Sequence, residues 1–243
     1  MQEIMKMIQS SAYTTIFTGA GMSTESGLPD FRSKNRGLWT KFNPDELANV
    51  VALENNFEEF SEFYQYRLRE IDKYQPHEGH LILGQWEKRG IIRGIITQNV
   101  DGFHHDAGNQ NVMELHGTFR KFYCNRCKRE HDREAYLSGN NKCEYCDGPV
   151  RPGIVLFGEM LPEDVFYKAE IETRRSDLLI VLGSSLTVTP ANMFPMIAKE
   201  QGAKLIIVNR EDTPMDIYAD YIVQDKSIRE FLIEVDQELK GRC

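Results

Sequence analysis

The chain of 243 residues has little of what marks membrane, secreted or disordered proteins. No segment approaches the roughly 18 consecutive apolar residues that a helix needs to cross a bilayer. Residues 1–11 alternate polar and apolar side chains at helical spacing and lack the basic stretch and apolar run of a signal peptide. There are no internal repeats or low-complexity tracts, and 41% of the residues are hydrophobic. These absences predict a folded cytoplasmic protein.

Positive charge is also scarce in this chain. Lys and Arg total 29 against 37 Asp and Glu, which gives a formal net charge of -8. A nucleic-acid-binding face would therefore have to be local, because clustered basic residues are the electrostatic signature of such proteins. We expect no direct binding to nucleic acid and no binding to membranes.

Cysteine is limited to five residues, and four of them form two closely spaced pairs. Two residues separate Cys124 from Cys127, two separate Cys143 from Cys146, and fifteen lie between the pairs. This is the spacing of two zinc knuckles, and four thiolates complete the shell of one structural Zn²⁺ with no position for a catalytic water. The alternative is two disulfides, which require an oxidising compartment. Cys243 has no partner in this pattern.

Aliphatic runs alternate with helical patterns along most of the chain. The runs lack polar alternation, which suits a parallel sheet covered on both faces. Strands are predicted at 14–18, 91–97, 112–115, 178–182, 205–208 and 221–223. Helices are predicted at 57–74, 78–89, 163–174, 190–201 and 227–239. The alternation predicts an α/β fold, a Rossmann-like doubly wound parallel sheet.

Two segments interrupt the alternation and predict insertions. Residues 33–75 are helical and rich in aromatic side chains, and residues 120–150 hold the four paired cysteines. We expect them to form a smaller lobe from a helical module and a zinc-ribbon module. Residues 1–32, 76–119 and 151–243 would then form the Rossmann-like domain.

A glycine turn follows the first predicted strand. Gly19 and Gly21 would let the backbone approach a pyrophosphate, as in dinucleotide-binding units. Residue 24 is Thr, so the third glycine of the dehydrogenase fingerprint is absent. The chain instead continues into a loop whose residues Asp30, Phe31 and Arg32 could fold over a bound cofactor.

Polar side chains follow the second predicted strand, at the carboxyl edge where open α/β sheets bind ligands. These residues are Gln98, Asn99 and Asp101. His116 follows the next extended run and would lie near the same edge, where histidine is the natural base near neutral pH.

Five motifs in this order resemble the sirtuin family of NAD-dependent protein lysine deacylases, bacterial type. They are Gly-Ala-Gly at 19–21 with Pro-Asp-Phe-Arg at 29–32, Thr-Gln-Asn-Val-Asp at 97–101, Leu-His-Gly at 115–117, the two cysteine pairs, and Arg-Pro-Gly-Ile-Val-Leu-Phe-Gly-Glu at 151–159. Their order and spacing match across about residues 14 to 225. The turn Gly-Ser-Ser-Leu at 183–186 resembles the family's Gly-Thr-Ser-Leu, and Ser keeps the hydroxyl.

The resemblance implies removal of acyl groups from lysine in proteins or peptides. NAD would be the co-substrate, one zinc ion would be structural, and the products would be nicotinamide, O-acyl-ADP-ribose and the free amine. Among the catalytic residues, His116 would accept a proton from a ribose hydroxyl and Asn99 would position the ribose and a water. Asp101 would hold the carboxamide together with the backbone of Val100.

The resemblance also implies the remaining contacts. The NAD-binding set is Gly19, Ala20, Gly21, Thr24, Asp30, Phe31, Arg32, Gln98, Asn99, Val100, Asp101, His116, Gly183, Ser184, Ser185, Asn209, Ser227 and Ile228. The substrate-binding set in the fifth motif is Ile154, Val155, Phe157, Gly158 and Glu159. This second set would pair with substrate backbone as an added strand and line an apolar lysine tunnel.

Tyr64 and Arg67 resemble the element with which one sirtuin class binds succinyl or malonyl lysine. One helical turn apart, a phenol and a guanidinium could jointly hold a carboxylate. The alternative is a packed tyrosine beside a surface arginine. In that class a small residue usually follows the Phe-Arg pair, whereas the segment 33–36 is longer and basic here.

Three other functions remain as alternatives. A mono-ADP-ribosyltransferase would share the first chemical step and pass ADP-ribose to protein. An NAD-dependent dehydrogenase is disfavoured by the incomplete glycine fingerprint. A module that binds NAD without turnover is disfavoured by the presence of His116 and Asn99.

Overall fold

The computed structural model describes residues 1–30, 37–40 and 42–241. Its centre is a six-stranded, fully parallel sheet. The strands are β1 (Thr14–Thr18), β2 (Gly94–Thr97), β3 (Val112–Glu114), β6 (Leu178–Leu182), β7 (Lys204–Val208) and β8 (Tyr221–Val223). Their order across the sheet is β3-β2-β1-β6-β7-β8. The predicted doubly wound sheet is confirmed.

Helices cover both faces of the sheet. One face packs against α1 (Gln2–Ser10), α5 (Glu78–Lys88) and α10 (Ile228–Lys240). The other packs against α8 (Glu163–Arg175) and α9 (Phe194–Glu200). Successive strand residues point to opposite faces, so Ile16 enters the first core and Phe17 the second. This double coverage explains why the strands read as continuous aliphatic runs.

A second, smaller group of elements lies beside the carboxyl edge of the sheet. It contains α2 (Pro44–Leu47), α3 (Val50–Asn55), α4 (Phe57–Ile71), α7 (Arg133–Leu137) and the antiparallel pair β4 (Gly117–Cys124) and β5 (Val150–Ile154). A third core cluster, rich in phenylalanine and tyrosine, joins α4 to this hairpin. The short helix α6 (Phe103–Asp106) connects β2 to β3.

Several predicted boundaries were wrong for local reasons. The strand predicted at 91–97 begins only at Gly94, since the amides of Ile91 and Ile92 still bond to Trp86 at the end of α5. The helix predicted at 57–74 ends at Ile71. The helix predicted at 190–201 begins at Phe194, after a 3-10 turn at Ala191–Met193.

Strands β4 and β5 were not predicted. β4 has a register shift between Thr118 and Phe122, and β5 contains Pro152 and Gly153, residues that are unfavourable in regular strands. Among the described residues, no helix combines the length and apolarity that crossing a membrane demands.

Candidate active site

The site begins where neighbouring strands β1 and β6 send the chain to opposite sides of the sheet, the place where open α/β sheets bind ligands. Gly21 donates its N–H to the carbonyl of Gly183, at 2.9 Å. A Cβ on Gly21 would lie 2.7 Å from Gly183 Cα, and one on Gly183 would lie 2.5 Å from the Gly21 carbonyl carbon. The turns after β1 and β6 therefore meet backbone to backbone and leave a cradle that side chains do not fill.

The chain after Gly19 does not enter a long helix. It forms a seven-residue 3-10 helix, Ala20–Ser26, which ends at Gly27 with φ of 108°. The hydroxyl of Thr24 donates to the Gly21 carbonyl at 2.9 Å, so the residue that replaces the third glycine tightens this turn. Asp30 closes the described part of the loop, and Phe31 and Arg32 lie outside the described residues.

Two amide side chains fix the end of β2 to both glycine turns. Gln98 Nε2 donates to Ser184 Oγ at 2.8 Å, beside the β6 turn. Asn99 is buried, and its Nδ2 donates to the carbonyl of Gly19 at 2.9 Å. The predicted polar group is therefore assembled at one edge of the sheet.

Asp101 lies at the same edge and is held by two donors. The hydroxyl of Ser23 donates to Oδ2 at 2.7 Å, and the N–H of Phe103 donates to Oδ1 at 3.0 Å. Burial raises the pKa of Asp101, and these two hydrogen bonds oppose that shift. The carbonyl of Val100 accepts from the Phe119 amide at 3.0 Å, which fixes the peptide before Asp101.

His116 stands between the sheet and the hairpin. Its Nδ1 is 3.1 Å from the carbonyl oxygen of Gln98. A carbonyl only accepts, so Nδ1 carries the proton and the neutral ring has its basic lone pair on Nε2. Its own carbonyl accepts from the Val155 amide at 2.8 Å. The histidine is thus oriented as a base and tied to the fifth sequence motif.

The fifth motif does not continue as a strand through Glu159. Ile154 pairs with Gly117 at the end of β5, but Glu159 then donates its N–H to the Leu156 carbonyl at 3.0 Å. Gly158 has φ of 93°, as the third position of a type II turn requires. Residues 156–159 are therefore a β-turn that follows a short strand, and Phe157 projects from it with 48% exposure.

The four paired cysteines form one cluster. Their Sγ atoms lie within 4.8 Å of one another, with 3.5 Å between Cys124 and Cys146 and 3.7 Å between Cys127 and Cys143. A tetrahedral zinc with Zn–S bonds of about 2.3 Å places its sulfurs roughly 3.8 Å apart, whereas a disulfide needs about 2.05 Å. The thiols are free, so the disulfide alternative is wrong and the cluster fits one Zn²⁺.

Comparison with known proteins identifies this arrangement. The Sir2 family model matches residues 19–190. The chain belongs to the Sir2 family.

Relatives and solved structures of the family match almost the whole chain. The NAD-dependent protein deacetylase of Oceanobacillus iheyensis is 52% identical, with 97% of this chain and 99% of the relative covered. The NAD-dependent protein deacylase 1 of Archaeoglobus fulgidus is 39% identical, with 93% of each covered. A Sir2 structure with a deacetylated p53 peptide and 3'-O-acetyl ADP ribose superposes with a TM-score of 0.92 at 36% identity, covering 98% of both chains.

Sequence reasoning for this Sir2 protein missed Ser23, and two buried histidines lie beneath the polar edge. Ser23 is buried and contacts both Asn99, at 3.3 Å, and Asp101. His104 Nε2 lies 3.0 Å from the Thr18 hydroxyl, and the His80 ring centroid lies 5.1 Å from that of His104. Burial lowers the pKa of His104 to about 3 and that of His80 well below its ordinary value. Both rings are neutral parts of the core at physiological pH.

The implied adenosine contacts lie around β7 and α10. Asn209 follows β7 and donates its side-chain N–H to the Glu211 carbonyl at 2.7 Å. Ser227 caps α10 in a reciprocal pair with Glu230, and Ile228 is buried in the core. Ser185 Oγ lies 2.9 Å from Thr187 Oγ1. The helix cap accounts for a serine at position 227 even without a ligand. The sequence alone does not distinguish a capping serine from one that contacts NAD.

The structure also places the two α4 residues of the acyl-binding hypothesis. Tyr64 is buried, and its ring centroid lies 4.6 Å from that of Phe60. Arg67 is half-buried, with Cζ 5.9 Å from the Phe119 ring centroid. Burial lowers the pKa of Arg67, and electrostatic interactions with Tyr64 and Asp101 oppose this shift. Arg67 is therefore not an exposed surface arginine.

Proposed function

We propose that this Sir2 protein deacylates protein lysines with NAD as co-substrate, and that His116, Asn99 and Asp101 are its catalytic residues. The observation that supports this most directly is the orientation of His116 by the Gln98 carbonyl beside the glycine cradle. Relatives at up to 52% identity are named NAD-dependent protein deacetylases. Family structures hold a p53 peptide with NAD+ or with 3'-O-acetyl ADP ribose.

The residues at the sheet edge fit a dinucleotide. Gly19, Gly21 and Gly183 form a turn pair whose cradle any Cβ would fill, which suits close approach of a pyrophosphate. When bound, NAD supplies an activated ribose carbon that accepts the acyl oxygen. Asn99 would position the ribose and a water, and Gln98 would contact the remainder of the dinucleotide. Asp101, with the Val100 peptide, would hold the carboxamide.

Each catalytic residue has a role that follows from its contacts. Asn99 is fixed by Gly19, so it presents its remaining amide atoms in one orientation. His116 accepts a proton from a ribose hydroxyl at Nε2, because Nδ1 already donates to Gln98. The hydroxyl of Ser23 and the N–H of Phe103 hold the Asp101 carboxylate in one orientation, which suits a contact with the carboxamide.

The substrate peptide is proposed to bind along Ile154 and Val155 and over the turn that carries Phe157, Gly158 and Glu159. Val155 is bonded to the backbone of His116, which places this edge next to the base. The half-exposed ring of Phe157 offers an apolar wall for the lysine side chain.

The zinc ion is proposed to be structural and to be held by Cys124, Cys127, Cys143 and Cys146. Four thiolates leave no open coordination position, so the ion stabilises the hairpin and takes no part in the reaction. The domain division at residues 33–75 and 120–150, and a cytoplasmic location where such thiols stay reduced, belong to the same proposal.

The experiment that tests the function is an acyl-peptide panel incubated with NAD and analysed by mass spectrometry. We expect equal amounts of deacylated peptide and O-acyl-ADP-ribose. Label transferred from NAD to protein without need of an acyl group would favour the mono-ADP-ribosyltransferase alternative. Peptides that keep their acetyl group in the presence of NAD would contradict the proposal.

A second activity, desuccinylation or demalonylation, rests on the half-buried position of Arg67 near Tyr64. A desolvated guanidinium gains more from a carboxylate than an exposed one does. We expect Arg67→Met to reduce turnover of a succinyl peptide far more than turnover of an acetyl peptide. Equal losses on both peptides would argue against a contact with the acyl carboxylate.

A further inference from the structure

The geometry points to Arg151 as a positioning residue that fixes the peptide-binding turn through Glu159, an inference that rests on the proposed deacylase function. Arg151 lies in β5, and its side chain has 0% exposure. A charge removed from water is costly unless it is paired and fully hydrogen-bonded. The bonding partners of this guanidinium therefore show which local structure it serves.

The hydrogen bonds that Arg151 donates converge on one short stretch of chain. Nη1 donates to Glu159 Oε1 at 2.5 Å, and Nη2 donates to Oε2 at 3.0 Å. Nη2 also donates to the carbonyl of Ile154, and Nε donates to that of Pro152 at 3.3 Å. The planar guanidinium thus forms a two-pronged ion pair with the carboxylate and holds the end of its own strand.

The carboxylate of Glu159 completes the arrangement from the other side. Its Oε2 also accepts the N–H of Leu156 at 2.8 Å, across the base of the turn 156–159. The Glu159 N–H donates to the Leu156 carbonyl at 3.0 Å. We call Arg151, Glu159 and this turn the clamp. Both carboxylate oxygens are engaged within the clamp, so Glu159 acts on the peptide through the shape of the turn.

The clamp controls the surface on which the acyl-lysine peptide is proposed to lie. The turn presents Phe157, whose N–H donates to the carbonyl of Ala48, between α2 and α3, at 3.0 Å and whose C=O accepts the N–H of Val50 at 3.2 Å. One residue before the turn, Val155 bonds to His116. A shift of the turn would therefore displace the aromatic wall from the base, although neither Arg151 nor its bonds touch the reacting atoms.

The test measures peptide binding directly and separately from turnover. Wild type, Arg151→Lys, Arg151→Met, Glu159→Gln and the double variant Arg151→Met with Glu159→Gln are compared. The readouts are the Kd of a fluorescent acetyl-lysine peptide, the KM of peptide and of NAD, kcat and the melting temperature. Arg174→Met is the control, because Arg174 is exposed and pairs with Glu170 near the end of α8, just before β6 begins, at the opposite edge of the sheet.

We expect Arg151→Met and Glu159→Gln each to raise the peptide Kd and KM about tenfold, while the KM of NAD stays within about twofold. Arg151→Lys keeps the charge but loses the two-pronged pair, so its rise should be about threefold. The double variant should be no worse than the poorer single variant, because both substitutions break the same unit. Peptides with acidic and basic flanks should show the same fold-changes.

Other results would overturn the clamp. The clamp is contradicted if Arg151→Met keeps a peptide Kd within twofold of wild type, or if the effects of the two single variants multiply in the double variant. It is also contradicted if the wild-type protein does not bind the peptide. If Arg151→Met does not fold, Arg151→Lys and Glu159→Gln carry the same test. A wild-type protein that binds peptide but does not deacetylate it would contradict the proposed function, while the clamp would still be judged from the Kd values.

Discussion

The parallel sheet and the β4–β5 hairpin are stabilised in different ways. The sheet has six strands, aliphatic side chains on both faces and helices over each face. The hairpin has two strands with an irregular register, one side resting on an aromatic cluster and one end closed by four cysteines. Two strands alone are marginally stable in water, so the hairpin depends on its metal and on the aromatic cluster.

This difference separates the two halves of the site. The glycine turns, Gln98 and Asn99 belong to the sheet and should keep their geometry when the hairpin is disturbed. The turn 156–159, on which the peptide is proposed to bind, follows the end of β5 and so belongs to the hairpin end. Cofactor binding should therefore be robust, and substrate binding should depend on the metal.

Metal removal should have the largest effect. Cys143→Ala, or a strong chelator, should abolish deacetylation, because structural zinc contributes on the order of 10 kcal/mol or more to folding of small zinc modules. Hydrogen exchange should show lost protection in 117–124 and 150–154 and unchanged protection in 14–18 and 178–182. Cys243→Ala is the matched control. Equal loss of protection in both regions would contradict the claim that the sheet keeps its structure when the hairpin is disturbed.

Loss of the base should remove chemistry and leave both regions folded. We expect His116→Ala to lower kcat by about 100-fold to 10,000-fold, the range in which a general base contributes. The NAD dissociation constant and the exchange pattern should stay close to those of wild type. His105→Ala, which changes a neighbouring half-buried histidine, is the control. Turnover close to wild type in His116→Ala would remove His116 from the catalytic set.

Mild acid should destabilise the sheet region first. Because burial lowers the pKa of His104 to about 3, the unfolded chain binds this proton below pH 6.5 and the folded chain does not. Stability should therefore fall with decreasing pH from about 6.5 to about 3, by up to about 1.4 kcal/mol per pH unit for this group. Denaturant titrations at several pH values measure the unfolding free energy of wild type and of His104→Gln. If both proteins lose the same free energy as the pH falls, the prediction is contradicted.

The smallest effect is expected where the hairpin module meets α4 at the surface. Asp72 pairs with Arg133 at 2.5 Å, but both side chains are partly exposed. Such pairs contribute about 0 to 1 kcal/mol, so Asp72→Asn should shift the unfolding free energy by about 0.5 kcal/mol or less. Tyr136→Ala, at a fully buried neighbour, should cost about 3 to 5 kcal/mol. Equal costs would show that charge, not packing, joins the module to α4.

The sequence predicts the sheet better than the hairpin for a physical reason. The bounds of β1, β6 and β8 agree with the predicted ones, because buried parallel strands need uninterrupted aliphatic residues. β5 reads Val-Arg-Pro-Gly-Ile, and its pairing depends on β4, since Val150 pairs with Cys124, 26 residues earlier in the chain. Its strand character comes from tertiary contacts that no local pattern contains.

Site residues, like the strands, are predictable from the sequence only where their role depends on local structure. Gly19, Gly21 and His116 stand in motifs whose backbone demands are local. Ser23 and Arg151 were missed as site-shaping residues because their importance lies in burial and in partners 78 and 8 residues away. Ser227 satisfies a helix cap, and one sequence cannot separate that use from a ligand contact.

Strand β4 begins directly after His116 and ends at Cys124, a member of the cysteine cluster. Eight residues at about 3.3 Å each, shortened by the bulge, place the two ends roughly 20 Å apart. Cobalt substituted at the cysteines would therefore serve as a built-in paramagnetic probe. Its through-space effect on the nuclear resonances of a bound ligand would report occupancy of the distant reaction centre, without any label attached to the protein.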